Sequence, residues 1–330
     1  MRRLIVANFD CELRFAQDSS PGPHKALPAK VQRVLSQAAP ALTVFGDDNT
    51  DLWTMSPMPG GRARSGALAE LESYDAILPW GQTSDLPKQA QRRDSTGPWQ
   101  ERLWWLRAEP QVVARCNDRR FALACDLPPE RTLAEREVVE SMEALDEYIG
   151  TKTLGPDDTW VAKAPWSASG RERVRRRGRV LDGELRVRSA RLLKRYGALV
   201  IEPWMPREAD YGVTGMVADD VESMVLFPPH QLRSDDTGVY RGIRIADQET
   251  SAKLGSTFGT ALEETAATVG SALHSAGYRG PFGIDAFVYH DRADRKCLQA
   301  LCEVNARLCF GLVARAQAEK LGLGEFEFML

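Results

Sequence analysis

Two segments near the end of the chain constrain it most: Phe282-Gly283-Ile284-Asp285-Ala286-Phe287-Val288-Tyr289 and Leu301-Cys302-Glu303-Val304-Asn305-Ala306-Arg307. Both are rich in apolar, β-branched and aromatic residues. The polar stretch from Asp291 to Lys296 separates them, so they are predicted to pair as a hairpin. Side chains alternate along a strand, which puts Glu303 and Asn305 on one face. Asp285 is expected beside them on the neighbouring strand. Three polar groups on an otherwise apolar sheet face are costly to bury without a partner. Two carboxylates and an amide carbonyl are hard oxygen donors, suited to Mg²⁺ held against nucleotide phosphates, and Mn²⁺ suits the same set. A divalent cation is one partner they could have, and a salt bridge with Arg307 or Lys163 is the other.

The rest of the chain sets bounds. Its 330 residues are enough for two or three packed units. A hydrophobic share of 43% with 27% charged residues is that of a soluble globular protein. The net charge of −3 gives no reason to expect nucleic acid or an anionic membrane as partner. No segment approaches the roughly 18 consecutive apolar residues of a membrane span. Met1 to Asp10 is basic and then briefly apolar, and it reads as a first strand rather than a targeting signal. Six cysteines without a Cys-x-x-Cys pair, and only four histidines, offer no zinc spacing and suggest a reduced, cytoplasmic protein.

The first hundred or so residues are predicted to form a small α/β unit with a parallel sheet. Strands are expected at Leu4 to Phe9, Ala41 to Phe45 and Asp75 to Gly81, and a helix at Pro28 to Ala39. Gly46 to Gly66 reads as a long loop, either a substrate-specificity element or a plain surface loop. A second unit begins near Val112. It should contain a strand at Glu135 to Val139, a helix capped by Ser141, a strand ending at Lys163, a helix over Ser189 to Tyr196, and a buried strand from Leu199 that is broken by Pro203. Tyr211 to Ile245 reads as antiparallel strands, Thr250 to Ala276 as a long helix, and Leu312 to Leu321 as a closing helix. The arginine-rich run from Arg171 to Arg179 reads as a solvated face or as a shield for an anionic ligand.

Chemistry gathers at a few points. Lys163 ends a strand and is followed by the small residues Ser167-Ala168-Ser169-Gly170. That is not the Gly-x-x-x-x-Gly-Lys loop. It suits a strand lysine that pairs phosphate oxygens while a flexible loop closes over them. Glu202-Pro203-Trp204-Met205 ends a buried strand where two units join, a place where backbone groups and apolar walls can meet a flat heterocycle.

Taken in order, Val161-Ala162-Lys163-Ala164-Pro165, Ile201-Glu202-Pro203-Trp204-Met205, Gly283-Ile284-Asp285-Ala286 and Glu303-Val304-Asn305-Ala306-Arg307 resemble the ATP-grasp superfamily. The resemblance covers roughly residues 112 to 330. It implies an α/β protein that becomes α+β in its C-terminal part. A Rossmann-like pre-ATP-grasp domain (1–111) would precede a small lobe (112–204) and a large lobe (205–330). It further implies ATP and Mg²⁺ as cofactors. Lys163, Ser167, Ser169 and Gly170 would contact the phosphates, Glu202 with Trp204 and Met205 the adenine, and Asp210 the ribose. Asp285, Glu303 and Asn305 would be the Mg²⁺ ligands. Arg307 and Arg241 would hold the transferred phosphoryl group or the acyl substrate. Arg119 stands where the family carries a second phosphate lysine. The implied reaction joins a small carboxylate to an amine through an acyl phosphate, with no nucleophilic side chain. A kinase that stops at the phosphorylated product, and a nucleotide-binding protein without turnover, are the alternatives. The superfamily is often dimeric, so a homodimer belongs with these expectations.

Overall fold

The computed structural model describes all residues except 20–25, 59–62, 66–70, 91–101, 104, 153–157, 168–171, 236–239, 246–257 and 330. Three sheets follow one another along the chain. The first is parallel, in the order β3-β2-β1-β4, from β1 (Arg3–Ala7), β2 (Thr50–Thr54), β3 (Ala63–Ser65) and β4 (Ala76–Pro79). Leu4, Ile5, Val6 and Ala7 are all buried, as expected for a parallel strand covered on both faces. The second sheet is antiparallel, in the order β5-β8-β6-β7, from β5 (Glu137–Val139), β6 (Thr159–Lys163), β7 (Arg173–Arg177) and β8 (Leu199–Pro203).

The third sheet runs β14-β13-β9-β11-β12-β15. It contains β9 (Arg207–Val217), β10 (Val225–Leu226, paired to β9), β11 (His230–Ser234), β12 (Tyr240–Ile245), β13 (Gly280–His290), β14 (Lys296–Asn305) and β15 (Phe326–Met329). The helix Phe310–Leu321 packs on its β12–β15 end, and the helix Gly259–Ser275 packs against β9 and β13. Aromatic contacts tie the third sheet to the first: Trp80, just past β4, lies 4.8 Å from both Phe9 and Phe310. No helix among the described residues is long and apolar enough to cross a membrane.

Three expectations needed correction. Ala41 to Phe45 is not a strand but part of a 3₁₀ helix, Ala39–Phe45, with Pro40 at its start, where a missing N–H costs nothing. The strand that belongs beside β1 is Thr50–Thr54, inside the expected loop, with Leu52 and Thr54 buried. The helix expected from Ser189 begins at Gly183. Asp182 caps it by accepting from the Leu185 amide (3.1 Å), and it ends at Gly197 in the left-handed conformation at φ 75°. The expected start of the long helix, from Thr250, lies largely outside the described residues.

Candidate nucleotide and metal site

A cavity of about 270 Å³ opens between the second and third sheets and reaches the end of the first. Its floor is one face of the third sheet. Asp285 pairs with Glu303 across β13 and β14, and Gly283 pairs with Asn305. On the other side of β13, Asp285 faces Gly212 and Gly283 faces Thr214. Gly212 in turn pairs with His230 on β11. The hairpin places Asp285, Glu303 and Asn305 at one point of this floor.

Their electrostatics are uneven. Glu303 accepts two hydrogen bonds from the Arg119 guanidinium, both 3.1 Å. Asn305 accepts from Arg307 (2.8 Å), and its side chain also hydrogen-bonds Asp285. Among the described residues Asp285 forms no ion pair, and the Arg307 charge offsets its enclosure only in part. Enclosure between the sheets, and then the neighbouring Glu303 charge, push its carboxyl up to about 7. A carboxylate driven that far toward its neutral form is a place where a divalent cation would relieve both causes at once. The donor set therefore fits Mg²⁺. Among the described residues no group of three or more His, Cys, Asp or Glu side chains converges, so this set has two carboxylates and an amide.

The opposite wall carries cations. Lys163 forms an ion pair with Glu202, whose other oxygen accepts from Arg136 (3.1 Å). Burial alone would raise Glu202, but Lys163 and Arg136 hold it down to about 2. Glu202 thus fixes the lysine at the cavity edge. Arg119 also donates to Ala164 O (2.6 Å), Ser167 Oγ (3.0 Å) and Ser167 O (3.1 Å), so one guanidinium fastens the loop after β6 to the hairpin. Arg207 lines the cavity, pairs with Asp210 (2.9 Å) and stacks over Phe287 (4.1 Å).

No protein-family model matches the chain, and no curated protein matches it by sequence. Solved structures do match. D-cycloserine synthetase DcsG superposes at a TM-score of 0.53 with 14% identity, over 97% of this chain and 100% of that one. N5-carboxyaminoimidazole synthetase from Staphylococcus aureus, complexed with ADP, gives 0.53 at 11% identity, over 93% of this chain and 70% of that one. Biotin carboxylase from Campylobacter jejuni, in an ATP-type complex, gives 0.52 at 12% identity, over 93% and 66%. These are ATP-grasp enzymes.

The chain has the ATP-grasp fold.

Most of the expected residues meet at one cavity. Arg119, Lys163, Ser167, Asp210, Asp285, Glu303, Asn305 and Arg307 all line it. Ser169 and Gly170 lie outside the described residues. Glu202 stands behind Lys163. Trp204 and Met205 are half-buried at the end of β8 and do not line the cavity. The Trp204 amide already donates to Thr159 O (2.7 Å), and its ring is covered by Arg173, Arg175 and Arg207 at 4.7–5.4 Å. Arg241 is not brought to the site. It is exposed on β12 and pairs with Asp235 (2.7 Å). Its neighbour Tyr240 points into the cavity instead, because adjacent strand residues face opposite ways. Arg244 is likewise engaged outside the cavity, with Glu325.

Sequence reasoning missed four residues. Glu12, from the first unit, pairs with Arg307 at 2.5 Å, with both side chains largely buried. Arg136 pairs with Glu202, and Arg207 lies near it. His230 lies under Gly311, and a Cβ on Gly212 would come within 2.6 Å of its Nε2. Arg207, three residues before Asp210 near the expected hinge, was the one with a local signal. The others are joined to the site only by tertiary contacts. Thr214 Oγ1, His230 Nδ1 and the Tyr240 hydroxyl, all on cavity-lining residues, are buried without a hydrogen-bond partner. Each such group costs on the order of 1–3 kcal/mol unless something binds it.

Proposed function

We propose that the protein is an ATP-dependent ligase that joins a small carboxylate to an amine through an acyl phosphate. The observation that carries this reading is the in-register pairing of Asp285 with Glu303 beside Asn305, facing Lys163 and Arg119 across one cavity. Synthetases and a carboxylase among the solved structures of the same fold, two of them described with ADP or an ATP-type ligand, support it.

In this reading Asp285, Glu303 and Asn305 would hold Mg²⁺, which would supply positive charge to offset that on the transferring phosphoryl group. Lys163 and Arg119 hold phosphate oxygens from the opposite wall, with Ser167 beside them. Arg207 and Asp210 flank the nucleoside, and Glu202 keeps Lys163 in place. Arg307, anchored by Glu12 and stacked on Trp80 (5.3 Å), orients the substrate carboxylate. A carboxylate oxygen attacks the γ-phosphorus of ATP, the bond to the β-phosphate oxygen breaks, and ADP leaves. The amine nitrogen then attacks the acyl carbon, inorganic phosphate departs, and the nitrogen loses a proton. The charged groups contribute by positioning and electrostatics rather than by covalent participation. The division at 1–111, 112–204 and 205–330 belongs to the same proposal, as does a cytoplasmic location, which six free cysteines support.

The test is a screen of amino acids and small carboxylates for ATP-dependent ADP release, with mass detection of the product. Glu303→Gln should abolish release under conditions where the unmodified protein turns over. Activity that survives both Glu303→Gln and Asn305→Ala would overturn the metal assignment. A phosphorylated product formed with no amine requirement would turn the reading into a kinase.

A further inference from the structure

Beyond the nucleotide end, the floor of the cavity carries three polar groups that the reaction above does not use. Thr214 is 2% exposed and His230 4% exposed, and Thr214 Oγ1, His230 Nδ1 and the Tyr240 hydroxyl are buried without partners. Two of them adjoin, and the third is joined to them through Phe310 and Gly311. The point a Cβ on Gly311 would occupy lies 2.7 Å from both Thr214 Cγ2 and His230 Cε1, so these two side chains adjoin. Tyr240 stacks on Phe310, the residue before Gly311, with ring centroids 6.1 Å apart and planes 14° from parallel. Gly212 lies between His230 and Asp285 in the sheet and presents no side chain, which lets the His230 imidazole lean over it toward Asp285. Any Cβ on Gly212 or Gly311 would strike the imidazole.

We propose that Thr214, His230 and Tyr240 form the recognition floor for an uncharged hydrogen-bonding end of the substrate, a hydroxyl or a primary carboxamide, held against Phe310 beside Asp285. The proposal rests on the ligase reading above and names the substrate class for that same site. Three arguments select an uncharged group. Thr214 and Tyr240 are neutral, and burial together with nearby Arg315 keeps His230 neutral. A second carboxylate at this end would require a further cation, but Arg307 is already assigned to the reacting carboxylate, and Arg315 donates to Pro228 O (2.9 Å). An ammonium group would be repelled by the same two arginines. A hydroxyl or carboxamide both donates and accepts, as do the groups waiting for it.

The experiment measures binding and turnover separately on the full chain with MgADP or MgATP. The probes are serine, threonine and asparagine in both enantiomers, set against their isosteres alanine, valine and aspartate. At least one polar probe should bind more than about tenfold tighter than its isostere, because a site built for a hydrogen-bonding group rejects an analogue without it. Thr214→Val/Tyr240→Phe keeps the shape of the pocket and removes two of the three groups. It should cut that preference below about threefold while leaving the melting temperature unchanged or raised. A preference that survives the double variant, a preference for the isosteres, or no binding by any polar probe overturns the proposal and leaves the groups as hosts for water. Discrimination that is seen in binding, lost in the double variant and unaccompanied by ADP release supports the subsite and sinks the ligase reading instead.

Discussion

The ion pair between Glu12 and Arg307 joins the first unit to the end of the β13–β14 hairpin, and its energetic weight can be worked out from its surroundings. The side chains are 9% and 14% exposed, and they meet at 2.5 Å. Arg307 keeps other partners, Asn305 Oδ1 (2.8 Å), Leu308 O (2.9 Å) and the Trp80 ring (5.3 Å). Apart from Arg307, Glu12 is left among the described residues with the weak Cys11 thiol donor at 3.4 Å. Breaking a buried pair from one side costs about 3–5 kcal/mol, because the remaining charge is left uncompensated. Glu12→Leu should fall at the low end, about 3 kcal/mol, since Arg307 retains two acceptors and a ring. Arg307→Met should fall at the high end, about 5 kcal/mol, since Glu12 retains almost nothing. Glu12→Leu/Arg307→Met removes both charges and should be more stable than Arg307→Met alone. Thermal unfolding measures the cycle, with each kcal/mol moving the midpoint by about 2 °C in a chain of this size. The coupling should exceed about 1.5 kcal/mol. Effects that add to within about 0.5 kcal/mol would show that the two residues act independently.

Asp285 makes the site sensitive to pH. Its carboxyl is raised from 3.8 to about 7, so between about pH 4 and pH 7 the folded protein holds a proton that the unfolded chain has lost, and stability falls as pH rises through that window. Cation binding must expel the same proton. Preformed MgADP should therefore stabilise the protein more at pH 8 than at pH 6, and calorimetry in buffers of different ionisation enthalpy should detect release of about one proton at pH 6. A shift independent of pH is the refuting result. Glu202→Gln leaves Lys163 and Arg136 facing each other without a counter-charge. It should lower stability by about 3 kcal/mol and weaken nucleotide binding, so unchanged nucleotide affinity would detach Lys163 from the site. Arg119→Lys keeps the charge but cannot span five acceptors on the loop and the hairpin. It should destabilise by about 1–3 kcal/mol while holding nucleotide affinity within about threefold, whereas Arg119→Met loses both. Equal loss of affinity in the two variants rejects a phosphate role for the charge.

The parts of the site that lie within one or two neighbouring strands were legible in the sequence. Glu303 and Asn305 share a face because they are two residues apart, and the polar turn between the hairpin strands fixed which partner they would meet. Lys163 and Glu202 were readable singly, each at the end of an apolar strand. Their ion pair was not, since it depends on β6 and β8 being neighbours although the chain between them forms β7 and a helix. Arg241 failed for the opposite reason. Strand alternation was certain, but which of Tyr240 and Arg241 faces inward depends on the register of β12 against β11, which shifts at Arg233/Ser234.

What stayed hidden follows from the same physics. Glu12 looks like an ordinary acidic residue in the first turn of a surface helix, where the helix dipole would already account for it. Only its burial against Arg307 shows that it does something else. Likewise Gly212 and Gly311 carry no signal in sequence, because neither has a positive φ and neither marks a turn. They matter for a space that another strand's His230 must fill. A glycine needed for its own backbone is visible locally, whereas a glycine needed for a neighbour's side chain can be recognised only once the neighbour is known. Such long-range pairings are where three-dimensional structure adds information that residue order does not contain.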